Sequence, residues 1–345
     1  MLPAIFGLSG TELTPMEREL FSAAEPAGYI LFGRNISSRQ QVRALTDSLK
    51  DLSGRENVPI LIDQEGGRVA RLTPPEWRSW PEADRFARLH SVDPHTARRA
   101  CQANYEALGL DLAELGITVN CAPVLDVPEP GAHDVIGDRA FGTDPVVIAD
   151  LGRAALQGLS AAGIVGVVKH IPGHGRSRSD SHHELPVVNL GDEALRRDLA
   201  PFIALNDAPM AMTAHILYTE WDPYHCATLS DRVIQSVIRE RIGFDGLLMS
   251  DDLDMKALKG AVPELAHAAI EAGCDVVLNC WGKIDDMRGI AQHLPEATVA
   301  CRRRLAAAMT HSQPLGESVN IAERQAALVA ERDELLALLA REAAQ

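Results

Sequence analysis

Runs of consecutive apolar residues recur along the whole chain, at positions 4–8, 29–32, 59–63, 118–126, 165–170, 210–215, 246–251 and 275–279. Continuous hydrophobicity, rather than alternation, is what a strand covered on both faces needs, so these runs predict parallel strands sheltered by helices. Between them the apolar positions shift to helical spacing, at 14–24, 37–52, 94–115, 145–162, 193–205 and 231–241. Eight strands joined mostly by helical crossovers match a closed α/β barrel of the (β/α)8 TIM type better than an open doubly wound sheet. From about residue 295 the pattern is mostly helical, broken near Pro314 and Gly316, and predicts helices sealing the barrel exterior. No repeat, low-complexity linker or composition break intervenes, so residues 1–345 are expected to form a single catalytic barrel domain.

Several of the runs end in a polar residue. In a barrel of this type the interior is packed and the C-terminal rim of the strands is open, so reactive side chains gather where strands end and the following loops begin. After Asp63, Asp126 and His170 the loops are longer than a simple connection requires and carry glycine and proline. Excess loop at that rim points to binding.

Composition narrows the partners. The 345 residues carry a formal net charge of -15, which repels phosphate backbones and anionic lipid surfaces, so neither nucleic acid nor a membrane is the expected partner. The short basic stretch at Arg176 and Arg178 is expected to be a solvated loop. Six cysteines lie scattered without CxxC pairs, as suits reduced thiols in a cytosol. No apolar run approaches the roughly 20 residues of a membrane helix, and the opening Met1-Leu2-Pro3-Ala4-Ile5-Phe6 lacks a basic leader. The expectation is a cytoplasmic protein with a small-molecule ligand, a monomer rather than an oligomer.

Four segments carry candidate chemistry. The strand Gly246-Leu247-Leu248-Met249-Ser250-Asp251-Asp252-Leu253 ends in adjacent carboxylates, of which only one can point over the barrel axis. An ionised Asp there, with Asp251 the preferred one and Asp252 its support, could attack an anomeric carbon; helix capping by Asp252 or Asp254 is the alternative. The stretch Lys169-His170-Ile171-Pro172-Gly173-His174-Gly175, followed by Asp180-Ser181-His182-His183, is dense in protonic groups. A His tuned near neutrality and oriented by Asp180 could donate a proton and later recover it, and a metal site is the other reading of such a cluster. In Ile62-Asp63-Gln64-Glu65-Gly66-Gly67-Arg68-Val69-Ala70-Arg71 a rim carboxylate could accept from two sugar hydroxyls with an Arg nearby, or simply form a surface ion pair. Arg139, in Ile136-Gly137-Asp138-Arg139-Ala140-Phe141-Gly142, could reach the same pocket, although a solvated surface Arg is the simpler reading.

In this order, DQEGGRV, NCAPVLDV, DRAFG, KHIPGHG with DSH, and SDDLDM resemble the family 3 glycoside hydrolases, specifically their single-domain bacterial β-N-acetylglucosaminidases, over residues 63–255. The resemblance implies a two-step retaining mechanism with Asp251 as nucleophile, His182 as acid/base and Asp180 as its partner. It further implies that Asp63, Arg71, Arg139, Lys169 and His170 hold the sugar, with no metal and no cofactor. The implied substrate is terminal β-linked N-acetylglucosamine on anhydro-muramyl peptides released in peptidoglycan recycling. Ile171 replaces a common aromatic, and Asp254 and Lys256 stand where Ser and Glu are frequent; these departures bear on the aglycone more than on reaction type. The rival readings are a glycoside phosphorylase, a metal-dependent barrel hydrolase using His170, His174 and His182, and a noncatalytic sugar-binding protein.

Overall fold

Eight short strands pair edge to edge, every pair parallel, in a closed ring. They are β1 (Leu2–Gly7), β2 (Pro26–Leu31), β3 (Ile60–Ile62), β4 (Val119–Asn120), β5 (Val165–Ile171), β6 (Met210–Thr213), β7 (Leu247–Asp252) and β8 (Val276–Asn279). The ring follows chain order and shuts where β1 meets β8, with Ile5 opposite Leu278. The computed structural model describes residues 1–177, 179, 181, 184–314, 316 and 320–342.

Each strand is apolar on both faces because each face has its own core. Ile5, Leu61, Val165, Val167, Met210, Met212, Leu247, Met249, Val276 and Leu278 fill the barrel interior. Their neighbours Phe6, Ile60, Ile62, Val168, Ala211, Leu248 and Val277 join the outer core beneath the helices. The outer layer is built from α1 (Pro15–Ala24), α2 (Arg39–Ser53), α3 (Ala83–Val92), α4 (Pro94–Glu114), α5 (Pro145–Ala161), α6 (Asp192–Ala204), α7 (Val262–Ala272) and α8 (Ile284–His293). Local signals start several of them. Thr14 and Glu17 form a reciprocal capping box, and Asp93 and Asp144 accept from the first turns of α4 and α5 ahead of a proline. Over Val233–Arg241 the helix between β6 and β7 widens to i→i+5 bonding, ending with the Ile242 N–H donating to the Val237 carbonyl.

The C-terminal helices divide their work. On α9 (Val299–Met309), Cys301, Leu305, Ala308 and Met309 pack with the barrel interior rather than on its outside. Hydrogen bonding of the Ala297 N–H to the Met1 carbonyl fixes this plug at the N-terminal mouth, where β1 begins. The expectation that all these helices seal the exterior therefore holds for α10 (Ile321–Leu336) but not for α9. Arg324, Gln325 and Arg332 of α10 bond to Glu106, the Ala107 carbonyl and Asn104 of α4. With the bottom plugged, the C-terminal rim is the open end.

Candidate active site

Strand parity selects the side chains that reach the rim. Leu247 and Met249 fill the interior, so Asp251 continues on the axis side of β7; the same counting carries Leu61 to Asp63, and Val165 and Val167 to Lys169. All three line one cavity of about 570 Å³, together with Glu65, Arg71, Arg139, His170 and His174. Asp252, of the other parity, accepts from the backbone N–H groups of Cys280 at 3.0 Å and Asp254 at 3.3 Å. It braces the end of β7 and caps no helix, the next one starting at Val262. Burial pushes its carboxyl up to about 6. Asp251 behaves oppositely: burial favours its neutral form, but His215, His170 and Lys169 outweigh that and hold it below the usual carboxylate range. An ionised carboxylate thus stands over the axis beside a group tuned to be protonated more readily.

Beside Asp251 runs a buried ion-pair chain. Asp63 accepts from Lys169 Nζ at 3.0 Å and Arg71 Nη2 at 3.1 Å. Lys169 also pairs with Glu65 Oε1 at 2.7 Å, and the Arg139 guanidinium grips both Glu65 oxygens, at 2.8 and 2.9 Å. Charges balance, with Asp63, Glu65 and Asp251 facing Arg71, Arg139 and Lys169. Burial alone would neutralise these groups, yet Lys169 and Arg71 hold Asp63 low, and Arg139 and Lys169 do the same for Glu65. Lys169 and Arg139 are raised in return, against burial, by these carboxylates. Arg139 is therefore not the solvated surface residue of the simpler reading: only 11% of its side chain is exposed.

Short-range chemistry shapes the loops that bring these groups together. Gln64 Oε1 accepts from the N–H groups of Arg71 and Leu72, folding the loop after β3 back on itself. Gly66 takes φ +99°, and a Cβ there would lie 2.4 Å from the Pro81 carbonyl oxygen. At the end of β5, Asp126 organises the histidine loop by accepting from His170 Nδ1 at 2.6 Å, His170 N at 3.1 Å and His174 N at 2.6 Å. Burial works against its charge, but His170 and His174 keep Asp126 low. His174 goes down to about 4, driven by burial and the neighbouring His170. Gly175 sits against the Val127 carbonyl, where a Cβ would approach to 2.0 Å.

The structure unites Asp251, Asp63, Arg71, Arg139, Lys169 and His170 in one cavity. Asp180, His182 and Arg178 lie outside the described residues. Arg176 departs from the solvated reading, pairing with the buried Asp198 at 2.5 Å and with Glu129 at 3.2 Å. Glu65 and Asp126 are neighbours of the site that residue-by-residue reading did not select, and His174 was named only as a possible metal ligand. Glu65 and His174 sit inside the quoted DQEGGRV and KHIPGHG motifs, and Asp126 ends a predicted strand, so position was visible and partnership was not. Among the described residues no group of three or more His, Cys, Asp or Glu is arranged to hold a metal ion, and all six cysteines are buried and unpaired. No described helix is long and apolar enough to cross a membrane.

A parallel barrel with an ionised aspartate at its rim is compatible with many chemistries, and the family match decides among them: the chain belongs to glycosyl hydrolase family 3, whose N-terminal domain matches residues 9–311. Among its relatives, a beta-hexosaminidase from Alkalilimnicola ehrlichii is 39% identical over 318 residues, covering 91% of this chain and 89% of the relative. A second, from Bordetella pertussis, is 38% identical over 312 residues, covering 88% and 87%. Native NagZ from Neisseria gonorrhoeae superposes with a TM-score of 0.85 at 30% identity, covering 98% of this chain and 97% of that one. The same enzyme in complex with N-trifluoroacetyl-D-glucosamine gives 0.85 at 29% identity, covering 96% and 98%.

Proposed function

We propose that this family 3 enzyme is a retaining β-N-acetylhexosaminidase that removes non-reducing terminal β-linked N-acetylglucosamine from anhydro-muramyl peptides in cytoplasmic peptidoglycan recycling. In this reading the whole chain works as one catalytic domain. The observation that carries the chemistry is Asp251, held ionised on the axis side of β7 beside the Asp63–Lys169–Glu65–Arg139 chain. Its carboxylate attacks the anomeric carbon and forms a glycosyl ester while the leaving oxygen takes a proton. His182, oriented by Asp180, supplies that proton and then draws one from the water that hydrolyses the ester. An imidazole suits the task because its unperturbed pKa of about 6.5 needs less adjustment than a carboxyl would.

Asp63 and Arg71 offer an acceptor and a donor to adjacent sugar hydroxyls, and Lys169, His170 and Arg139 complete the grip. Arg139 acts there partly by fixing Glu65 and, through it, Lys169. Relatives of the beta-hexosaminidase type, and the sugar-bound NagZ, support N-acetylglucosamine as the glycone. An activated fluoroglycoside of N-acetylglucosamine tests the nucleophile: intact mass should show a glycosyl adduct on the wild type and none on Asp251→Ala. An adduct that persists in the variant, or never forms on the wild type, defeats the assignment.

A further inference from the structure

His174 has no part in the chemistry above, yet it is a buried imidazole at the wall of the active-site cavity, 3% exposed. Its backbone N–H is spent on Asp126, and its Nε2 lies 3.2 Å from Ser181 Oγ. Nδ1 is buried and meets no hydrogen-bond partner among the described residues. A buried N–H without an acceptor is costlier than a bare acceptor, so the proton belongs on Nε2, which donates to Ser181 Oγ. Burial and the neighbouring His170 hold this ring neutral, so it keeps the same donor at neutral pH.

Ser181 is held from a second side. Its carbonyl accepts from the N–H of Ala257, six residues past Asp251 on the loop that follows β7. Ser181 is itself 3% exposed, so both contacts are made away from solvent. It is flanked in sequence by Asp180 and His182. The His174 anchor is rigid in turn, since Asp126 grips both His170 and His174 and Tyr218 Oη donates to the Gly173 carbonyl.

We infer that the His174–Ser181–Ala257 hydrogen-bonded latch fixes Ser181, the residue between Asp180 and His182 in sequence, making His174 and Ser181 positioning residues for proton delivery to the leaving group. The inference rests on His182 being the acid/base. Loosening the latch should slow ester formation where the leaving oxygen must take a proton and spare it where the leaving group needs none, because attack by Asp251 itself needs neither residue.

The test is kcat/KM on two substrates, a dinitrophenyl β-N-acetylglucosaminide, whose leaving group needs no proton, and an alkyl β-N-acetylglucosaminide, whose leaving group does. Ser181→Ala should lose about five- to tenfold on the alkyl substrate, the size of one neutral hydrogen bond, and change little on the dinitrophenyl one. Ser181→Thr, which keeps the hydroxyl, should restore the alkyl activity. His174→Leu should copy Ser181→Ala, whereas His174→Gln, which retains a terminal N–H donor, should recover part of the loss. Equal losses on both substrates in Ser181→Ala, or none on either, overturn the latch. His182→Ala measured in parallel separates the two ideas: a selective loss there without one in Ser181→Ala removes the latch alone, while an even loss there removes the acid/base assignment and the latch with it.

Discussion

At the scale of single residues, Glu65 is a buried carboxylate held by two cations. It takes two bonds from Arg139 and one ion pair from Lys169, all nine-tenths buried or nearly so. Glu65→Gln keeps the shape and removes the charge, leaving Arg139 without its carboxylate and Lys169 with only Asp63, which Arg71 also shares. Removing one partner of a buried pair costs about 3–5 kcal/mol, so urea unfolding should move to a markedly lower midpoint and kcat/KM should fall with it. An unchanged midpoint would show that Arg139 and Lys169 find other compensation. Parity is the reason sequence could rank Asp251 above Asp252: one faces the axis in line with Leu247 and Met249, the other bonds to Cys280 and Asp254. No such rule reveals Glu65, because its value comes from Arg139 and Lys169, 74 and 104 positions away, which meet only when the ring closes.

At the scale of elements, α9 is the least expected piece and gives the clearest separation of stability from activity. Leu305 on α9 packs against the barrel interior, 7% exposed, at the end opposite the cavity. Leu305→Ala should cost about 2–5 kcal/mol through lost burial and a residual cavity, read as a lower thermal midpoint, while KM for an aryl β-N-acetylglucosaminide stays at the wild-type value. A raised KM would mean that packing at the plug is transmitted through the barrel to the rim. The eight strands were legible because two-sided burial writes them as continuous apolar runs. The helices α3, α7 and α8 were not singled out, although α1, of the same ten-residue length as α3 and α8, was. A plug and an exterior helix look alike in sequence, because each presents one apolar stripe and only the closed ring decides which surface receives it.

For the whole molecule, the opposing carboxyl groups dictate how stability follows pH. Asp63, Glu65 and Asp126 titrate lower in the folded chain than unfolded, where carboxyls sit near 4. Their stabilisation is complete above that unfolded value and is lost as pH falls through their depressed folded values. Asp252 and Asp198 have the reverse sign: burial raises each to about 6, so the folded form binds extra protons between about 4 and 6, and stability rises as pH falls across that window. His174 opposes this second set: lowered to about 4, it stays neutral in the fold while the unfolded imidazole protonates from about 6.5, so part of the gain is cancelled across that window. The thermal midpoint should hold or rise slightly from pH 7 to about 5 and then drop steeply below about 4, where the unfolded chain takes up protons that the carboxylates of the ion-pair chain beside Asp251 still refuse. Calorimetric scans from pH 3 to 8 check this directly. A midpoint that keeps climbing towards pH 3 would mean that the Asp63–Lys169–Glu65–Arg139 chain contributes no net stability. Its retention in a buried wall would then have to be explained by what it holds in place for the sugar rather than by what it adds to the fold.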